Sequence, residues 1–233
     1  MSKSQPLVSF IISVYNDEKR VSAALQSIVL QSYKNLEIRI VDDASTDNTL
    51  PIIQSFAKEY KNIYVYKNSE NIGLTKSLNL LAPKTKGEYI ARQDSDDISN
   101  PLRTEKQINA IFKYNLDFCT TRAVINNTNK TIPGKSFYIP KKLLIKYKNP
   151  FIHGSLLINK KVFKEVGLYD ERFYFSQDYK LMIDLIDKGY KFKIINEILY
   201  TLNFSDNISL NFKDQQNYYA NCARNGINPK LKV

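Results

Sequence analysis

Asp94, Asp96 and Asp97 put three carboxylates within four positions, with Ser95 between the first two and Pro101 shortly after. Like charges this close raise one another's proton affinity unless a cation, a donor or water offsets them. One aspartate would suffice to cap the helix that Pro101 announces, and three exceed that need. A hard divalent cation takes carboxylate oxygens and is often shared with substrate phosphates, so the cluster suits Mn2+ or Mg2+ beside a phosphorylated ligand. Asp42 and Asp43 end a second apolar run, where starting a turn or capping the next helix competes with ligand binding. Asn71 and Gly73 suit a plain turn equally well. His153 is the one histidine.

Alternating elements must position these residues. Leu7–Tyr15, Leu36–Val41, Asn62–Tyr66 and Glu88–Arg92 are short β-rich runs, the pattern of strands buried on both faces. Between them, Val21, Ala24, Leu25, Ile28 and Val29 recur at helical spacing, as do Leu50, Ile53, Phe56, Ala57 and Tyr60 behind a candidate cap at Asp47; Leu74 to Leu81 forms a third, short helix. This order predicts an α/β fold with a mostly parallel central sheet flanked by helices. Ligands of such sheets bind beyond the carboxyl ends of the strands. Here those ends read Ser13-Val14-Tyr15-Asn16, Asp42 to Asp47, Lys67 to Gly73 and Gln93 to Asp97. All four are polar and two are dense in carboxylates.

The second half is less regular. A strand is expected from Asp117 to Ile125, then a long loop with short elements to about Pro150, a short strand before Lys160 and a short helix ended by Gly167. A helix over Gln177 to Tyr190 turns Leu181, Leu185 and Ile186 inward, with Gly189 as its C-cap. Lys191 to Leu202 reads as a strand pair or a strand and turn, and residues 204–233 as a polar, basic tail. The expected division is one domain over residues 1–203, with a ligand-binding half to about residue 100 and a second half after it.

The 233 residues include only two cysteines, too few for a disulfide framework, and a reducing cytoplasm is the expected compartment. No run reaches the roughly 18 apolar residues of a membrane span. The net charge is +11, and its distribution is uneven: no Asp or Glu occurs from Phe118 to Lys164, a segment with one arginine and nine lysines. Such a segment suits an anionic partner, either phosphate-bearing molecules or a lipid surface, or else a solvated lysine-rich face. Several chemistries are excluded. No G-x-G-x-x-G follows the first strand, no P-loop is present, and no G-x-S-x-G elbow accompanies the lone histidine. A nucleotidyltransferase would carry a glycine-rich loop where this chain has "SVYNDEKR". A nucleic-acid-binding module would leave the carboxylates without a role, so no nucleic acid is expected as a partner.

The run "VSFIISVYNDEKRVSAALQSIVLQSYKNLEIRIVDDASTDNT", then "NIGLTKSLN", "ARQDSDDISNPLRTEKQ", "HGSLLINKKVFKEVGLYDERF" and "SQDYKLMIDLIDKGYKF" resemble the family 2 glycosyltransferases of GT-A fold. The resemblance spans about Leu7 to Leu202 and rests on the order of the motifs. It implies transfer of a sugar, with inversion and a divalent metal, from a nucleotide diphosphate donor, a UDP-sugar by preference, to a glycan or lipid-linked acceptor. Ser13 and Tyr15 match positions lining the nucleotide, Asp43 the acceptor for the base, and Asn71, Gly73 and Lys76 a segment closing near base and diphosphate. Asp94-Ser95-Asp96 matches the D-x-D, with Asp94 near ribose or metal and Asp96 the direct metal ligand; Asp97 is expected to support the loop and cap the next helix. His153 matches a position near the phosphates that some members place on the metal. Asp178 matches the catalytic carboxylate, where helix capping is the competing role. Gln177 replaces the glutamate usual before that base. The absence of Trp rules out the processive Q-x-x-R-W motif, so a single-addition enzyme is implied; the resemblance further implies lipopolysaccharide or capsule synthesis, and the acid-free basic segment suits peripheral contact with an anionic membrane.

Overall fold

A computed structural model describes residues 5–203 and 212–230. The first strand, β1 (Val8–Val14), is sandwiched between two apolar layers. Val8, Phe10, Ile12 and Val14 face one side, packed with Val21, Leu25 and Ile28 of α1 (Val21–Val29), Ile53 of α2 (Thr49–Glu59), and Ile108 and Ile111 of α4 (Arg103–Tyr114). Ile11 faces the other, with Leu78 and Leu81 of α3 (Leu74–Leu81) and Leu181, Met182 and Leu185 of α7 (Gln177–Asp187). A strand alternates its side chains between faces, so an uninterrupted apolar run is what two covering layers require. Each such fully buried side chain contributes about 1.5–3 kcal/mol.

Beside β1, the strands β2 (Leu36–Asp42), β3 (Ile63–Lys67) and β4 (Tyr89–Arg92) complete the parallel half, in the order β3-β2-β1-β4. The order then continues through β8 (Leu157–Asn159), β6 (Phe118–Ile125), β9 (Phe192–Leu202) and β5 (Ile98–Ser99). Here β8 is antiparallel to both its neighbours, β6 and β9 are parallel, and β5 is antiparallel to β9. A short β7 (Thr131–Ile132) pairs with β6. The parallel expectation therefore holds for the first half, and the second half is mixed. Two short helices, α5 (Lys141–Leu144) and α6 (Lys160–Glu165), lie in the connections of this half.

Three local readings are corrected. The segment after Lys191 is one strand, not a pair. Its register against β6 jumps from Ile195 to Ile198, so Asn196 and Glu197 sit in a bulge that breaks the apolar pattern without ending the strand. Residues 213–224 form a helix, α8 (Lys213–Arg224), although polar composition alone gives no reason for one. Its Tyr219, Cys222 and Ala223 are buried against Phe173 and Phe175, so tertiary packing supplies the stabilisation that propensity does not. Asp47 is not the cap residue of α2, which is Asn48; its Oδ1 nonetheless accepts from the N–H of Thr49 at 2.9 Å.

Candidate active site

The carboxylate loop, residues 93–97, links the end of β4 to β5, and buried groups clamp it from three directions. Arg103 of α4 is wholly buried and donates to the carbonyls of Arg92 (2.7 Å) and Gly154 (3.1 Å), to Gln93 Oε1 (3.1 Å) and to Ser99 Oγ (2.8 Å). Burial pulls its pKa down to about 10, leaving the guanidinium charged. From β9, Tyr200 Oη accepts from the Asp94 N–H at 3.1 Å, and the Asn203 N–H donates to Asp97 Oδ1 at 2.7 Å. Asp97 is thus tied to the far end of the chain and does not cap α4, whose flanking residue is Leu102; the expected capping role is corrected, while the architectural one stands. Burial, then the neighbouring Asp94 and Asp96, push its carboxyl up to about 8.

Asp94 Oδ1 is held by the buried Arg92 at 2.6 Å. Ser95 Oγ donates to Asp17 Oδ2 at 2.7 Å, and Arg20 Nε donates to Asp17 Oδ1 at 2.6 Å. The same guanidinium lies 4.0 Å from Asp96 Oδ2. Asp96 keeps part of its carboxyl surface open, and its pKa is raised to about 6 by burial, Asp94 and Asp17, against which Arg20 works. Asp94 and Asp17 are each paired with an arginine at 2.6 Å, whereas Asp96 has only Arg20 at 4.0 Å and is the least compensated of the three. A hard dication takes carboxylate oxygens, and the partly open Asp96 beside Asp94 is the pair that would offer them. Among the described residues no three His, Cys, Asp or Glu side chains form a complete cage, so ligands beyond the protein would have to fill the remaining positions.

Opposite this loop, His153 Nε2 and Tyr169 Oη are 2.7 Å apart. Burial and Arg92 lower the pKa of His153, while Asp94 and Asp178 raise it, and the net direction is down, so the imidazole is neutral near neutral pH. Burial pushes Tyr169 up, and it too feels Arg92, Asp178 and Asp94. Asp94 and Asp178 thus act on one pair of rings. Asp178 lies in the first turn of α7, behind Ser176, whose φ of 55° is left-handed and whose Oγ donates to the Gln216 carbonyl of α8 at 3.1 Å. Asn149 Nδ2 donates to Asp178 Oδ2 at 2.7 Å, which orients the carboxylate.

A second group forms at the ends of β2 and β3. Asp43 is buried; its Oδ1 accepts from Asn68 Nδ2 (2.7 Å) and the Ile72 N–H (3.0 Å), and its Oδ2 from the Gly73 N–H (2.9 Å). Gly73 has φ 86° and ψ 163°, a conformation open essentially to glycine, and a Cβ there would lie 3.1 Å from the Tyr174 ring. Asp42 Oδ2 accepts from the Ser45 N–H at 3.2 Å and serves the turn. Asn71 and Lys76 are exposed, Tyr15 is half-exposed, and Ser13 is partly buried at the end of β1. A separate concavity of about 740 Å³, bordered by Asn79, Asp170, Arg172, Lys180 and Asp184, meets this constellation only at Tyr169.

Sequence reading missed Asp17, Arg92, Asn149, Gly154, Tyr169 and Tyr200. Asp17 and Arg92 stand within the strand-end motifs and were legible as neighbours of the acids. The other four come from distant parts of the chain, Tyr200 on β9 and the rest in connections, and reach the site only through tertiary packing. Gly154 is required by space: a Cβ there would fall 2.5 Å from Asp94 Oδ2 and 2.7 Å from Tyr200 Cζ.

The model of the family described as glycosyl transferase family 2 matches residues 9–167. EpsE of Bacillus subtilis is 32% identical over 202 residues, covering 84% of this chain and 73% of its own length. The uncharacterized glycosyltransferase MJ1057 of Methanocaldococcus jannaschii is 33% identical over 229 residues, covering 92% and 77% respectively. Among solved structures, S. aureus TarS 1–349 in complex with UDP-GlcNAc superposes with a TM-score of 0.73 at 19% identity, over 86% of this chain and 59% of that one. The mannosyltransferase PcManGT from Pyrobaculum calidifontis, in complex with GDP-Man and Mn2+, gives 0.75 at 17% identity, over 97% and 66%. Both structures show the same GT-A fold.

Proposed function

The chain belongs to glycosyl transferase family 2, and from that premise we propose that it transfers a sugar, with inversion at the anomeric carbon, from a nucleotide diphosphate donor to a hydroxyl of a glycan or lipid-linked acceptor. A UDP-sugar is the proposed donor and a bacterial surface glycan, lipopolysaccharide or capsule, the proposed product, made at the cytoplasmic face of the membrane; both rest on family analogy. The observation that carries the reading is the acidic loop at the end of β4, where Asp94 is held by Arg92 at 2.6 Å and packs directly against Gly154, the neighbour of the His153 that pairs with Tyr169.

In this mechanism Asp178, oriented by Asn149, takes the proton of the acceptor hydroxyl. The acceptor oxygen bonds to the anomeric carbon as the bond to the diphosphate oxygen breaks on the opposite face. Asp94 and Asp96 would hold Mn2+ or Mg2+, which offsets charge on the departing diphosphate when bound. His153, neutral and held at Tyr169, lies on the donor side as a metal or phosphate contact. Ser13, Tyr15 and Lys76 line the nucleotide together with Ser95. Three of the roughly four acceptor positions of the Asp43 carboxylate are already taken by the loop ending at Gly73. We assign Asp43 one contact to the base, with Asn71 closing over it.

The test is thermal shift of the chain with a panel of nucleotide sugars, with and without Mn2+. UDP-sugars with Mn2+ should raise the melting temperature and Asp96→Ala should abolish the gain. Asp178→Asn should keep donor binding and lose transfer. A fully active Asp178→Asn enzyme removes the assigned base, and a silent panel removes the donor class.

A further inference from the structure

The acid-free segment is not uniformly a solvated surface. Of its ten cations, Arg122 packs on the Phe137 ring and donates to the Pro133 carbonyl, Lys141 donates to the carbonyls of Ser136, Phe137 and Ile139, and Lys160 donates to that of Thr85. These three are spent inside the fold. What is left exposed includes Lys135, Lys142, Lys146 and Lys148 on one short stretch.

That stretch also carries exposed apolar groups. Tyr138 is 79% exposed, Tyr147 67%, Leu143 51% and Ile139 41%. Helical hydrogen bonds run from Leu144 N–H to the Pro140 carbonyl, from Ile145 to Lys141 and from Lys148 to Leu144. Leu144 and Ile145 are buried, while Lys142, Leu143, Lys146 and Tyr147, at i and i+4 spacings, take the opposite face. The result is a ridge of two aliphatic side chains and two tyrosines interleaved with lysines, and no carboxylate lies within the segment to answer the charge.

We propose that this ridge, residues 135–148, docks on an anionic lipid bilayer. Lysines at an anionic surface each add attraction, aliphatic groups enter the headgroup boundary, and tyrosine rings settle there with the hydroxyl in water. Nucleic acid matches the charge but not Ile139 and Leu143, which offer bases no stacking face. The ridge is rigidly joined to the proposed base. Tyr179 Oη, next to Asp178, donates to the Ile145 carbonyl at 2.5 Å, Asn149 follows the ridge directly and holds Asp178, and Arg224 of α8 donates to the Tyr147 carbonyl at 2.7 Å. Docking therefore sets Asp178 at the membrane surface. That last consequence rests on the transferase reading and specifies its acceptor as one carried by a lipid.

The experiment is co-sedimentation of the full chain with phosphatidylcholine vesicles, with and without phosphatidylglycerol. Wild type should pellet with the anionic vesicles at low salt and stay in solution with the neutral ones. Lys142→Glu with Lys146→Glu should weaken partition by about fivefold or more per lysine. Leu143→Ser with Tyr147→Ser should make the remaining binding fully reversible by salt. Equal pelleting with both vesicles, or unchanged binding of the charge-reversal variant, overturns the proposal. So does a homopolymeric RNA that displaces the chain from vesicles through these same lysines at physiological salt. Thermal shift with UDP and Mn2+, measured on the same variants, should match wild type because all four residues are exposed. Absence of that shift in wild type refutes the proposed UDP donor and leaves the vesicle result standing.

Discussion

Gly154→Ala is expected to disable the Asp94–Asp97 loop without replacing any charged residue. The added Cβ would lie 2.5 Å from Asp94 Oδ2 and 2.7 Å from Tyr200 Cζ, and closer still to the Tyr200 hydroxyl, where 3.0 Å is the floor for real side chains. Neither neighbour can yield freely. Tyr200 is buried under the Arg103 guanidinium and its hydroxyl accepts from the Asp94 N–H, while Asp94 is held by Arg92. Position 154 does not have a positive φ, so alanine brings no backbone penalty and the whole effect is steric. Overpacking of this kind costs about 1–3 kcal/mol. For a chain of this size that lowers the melting temperature by roughly 2–12 °C. The relief tells where the clash lies: Asp94→Ala in the Gly154→Ala background should recover part of the loss, because one of the two obstructing groups is gone. Donor affinity should fall with the single change, since Asp94 is displaced. Circular dichroism melts of the four proteins and calorimetric UDP binding measure this. A Gly154→Ala chain with unchanged melting temperature and donor affinity would refute the packing account of this loop.

Three further outcomes follow from the same geometry. Asp96 and Asp97 have folded pKa values of about 6 and about 8, both above the unfolded value of 3.8, so between those limits the folded chain binds more protons. Stability should then fall as pH rises from about 4 to 8 in the presence of a chelator, and Mn2+ should restore more at pH 8 than at pH 5; melting curves against pH check the sign. Asp97→Asn should flatten the upper part of that dependence while keeping an amide oxygen for the Asn203 N–H, and an unaltered profile would remove Asp97 as its source. Asn149→Ala deletes a hydrogen bond to a carboxylate worth about 1.5–3 kcal/mol, so turnover should drop about tenfold or more with UDP affinity unchanged, as steady-state kinetics beside calorimetry would measure.

The sequence by itself determined the parallel half of the sheet and the polar, acid-rich character of its edge. Apolar runs of strand length fix β1, β2 and β4, which are buried almost throughout because both faces are covered, while β3 at the sheet edge is only partly buried; the polar residues that follow these strands must then sit at their carboxyl ends. The D-x-D was legible for that reason. Tertiary structure decided what holds it. Whether Asp97 capped α4 or reached elsewhere depended on where β9 returned, and the bulge at Asn196-Glu197 sets that register. For Asp43 the sequence left a turn role and a ligand contact both open, and the turn at Gly73 folds its own N–H groups onto the carboxylate. The helix at Lys213–Arg224 has no apolar periodicity strong enough to announce it and exists because Phe173 and Phe175 need a cover. Local pattern specifies an element when burial is symmetric along it; contacts between distant segments are specified only by the packed chain, and the positioning of Asp178 by Asn149 and α8 is of that second kind.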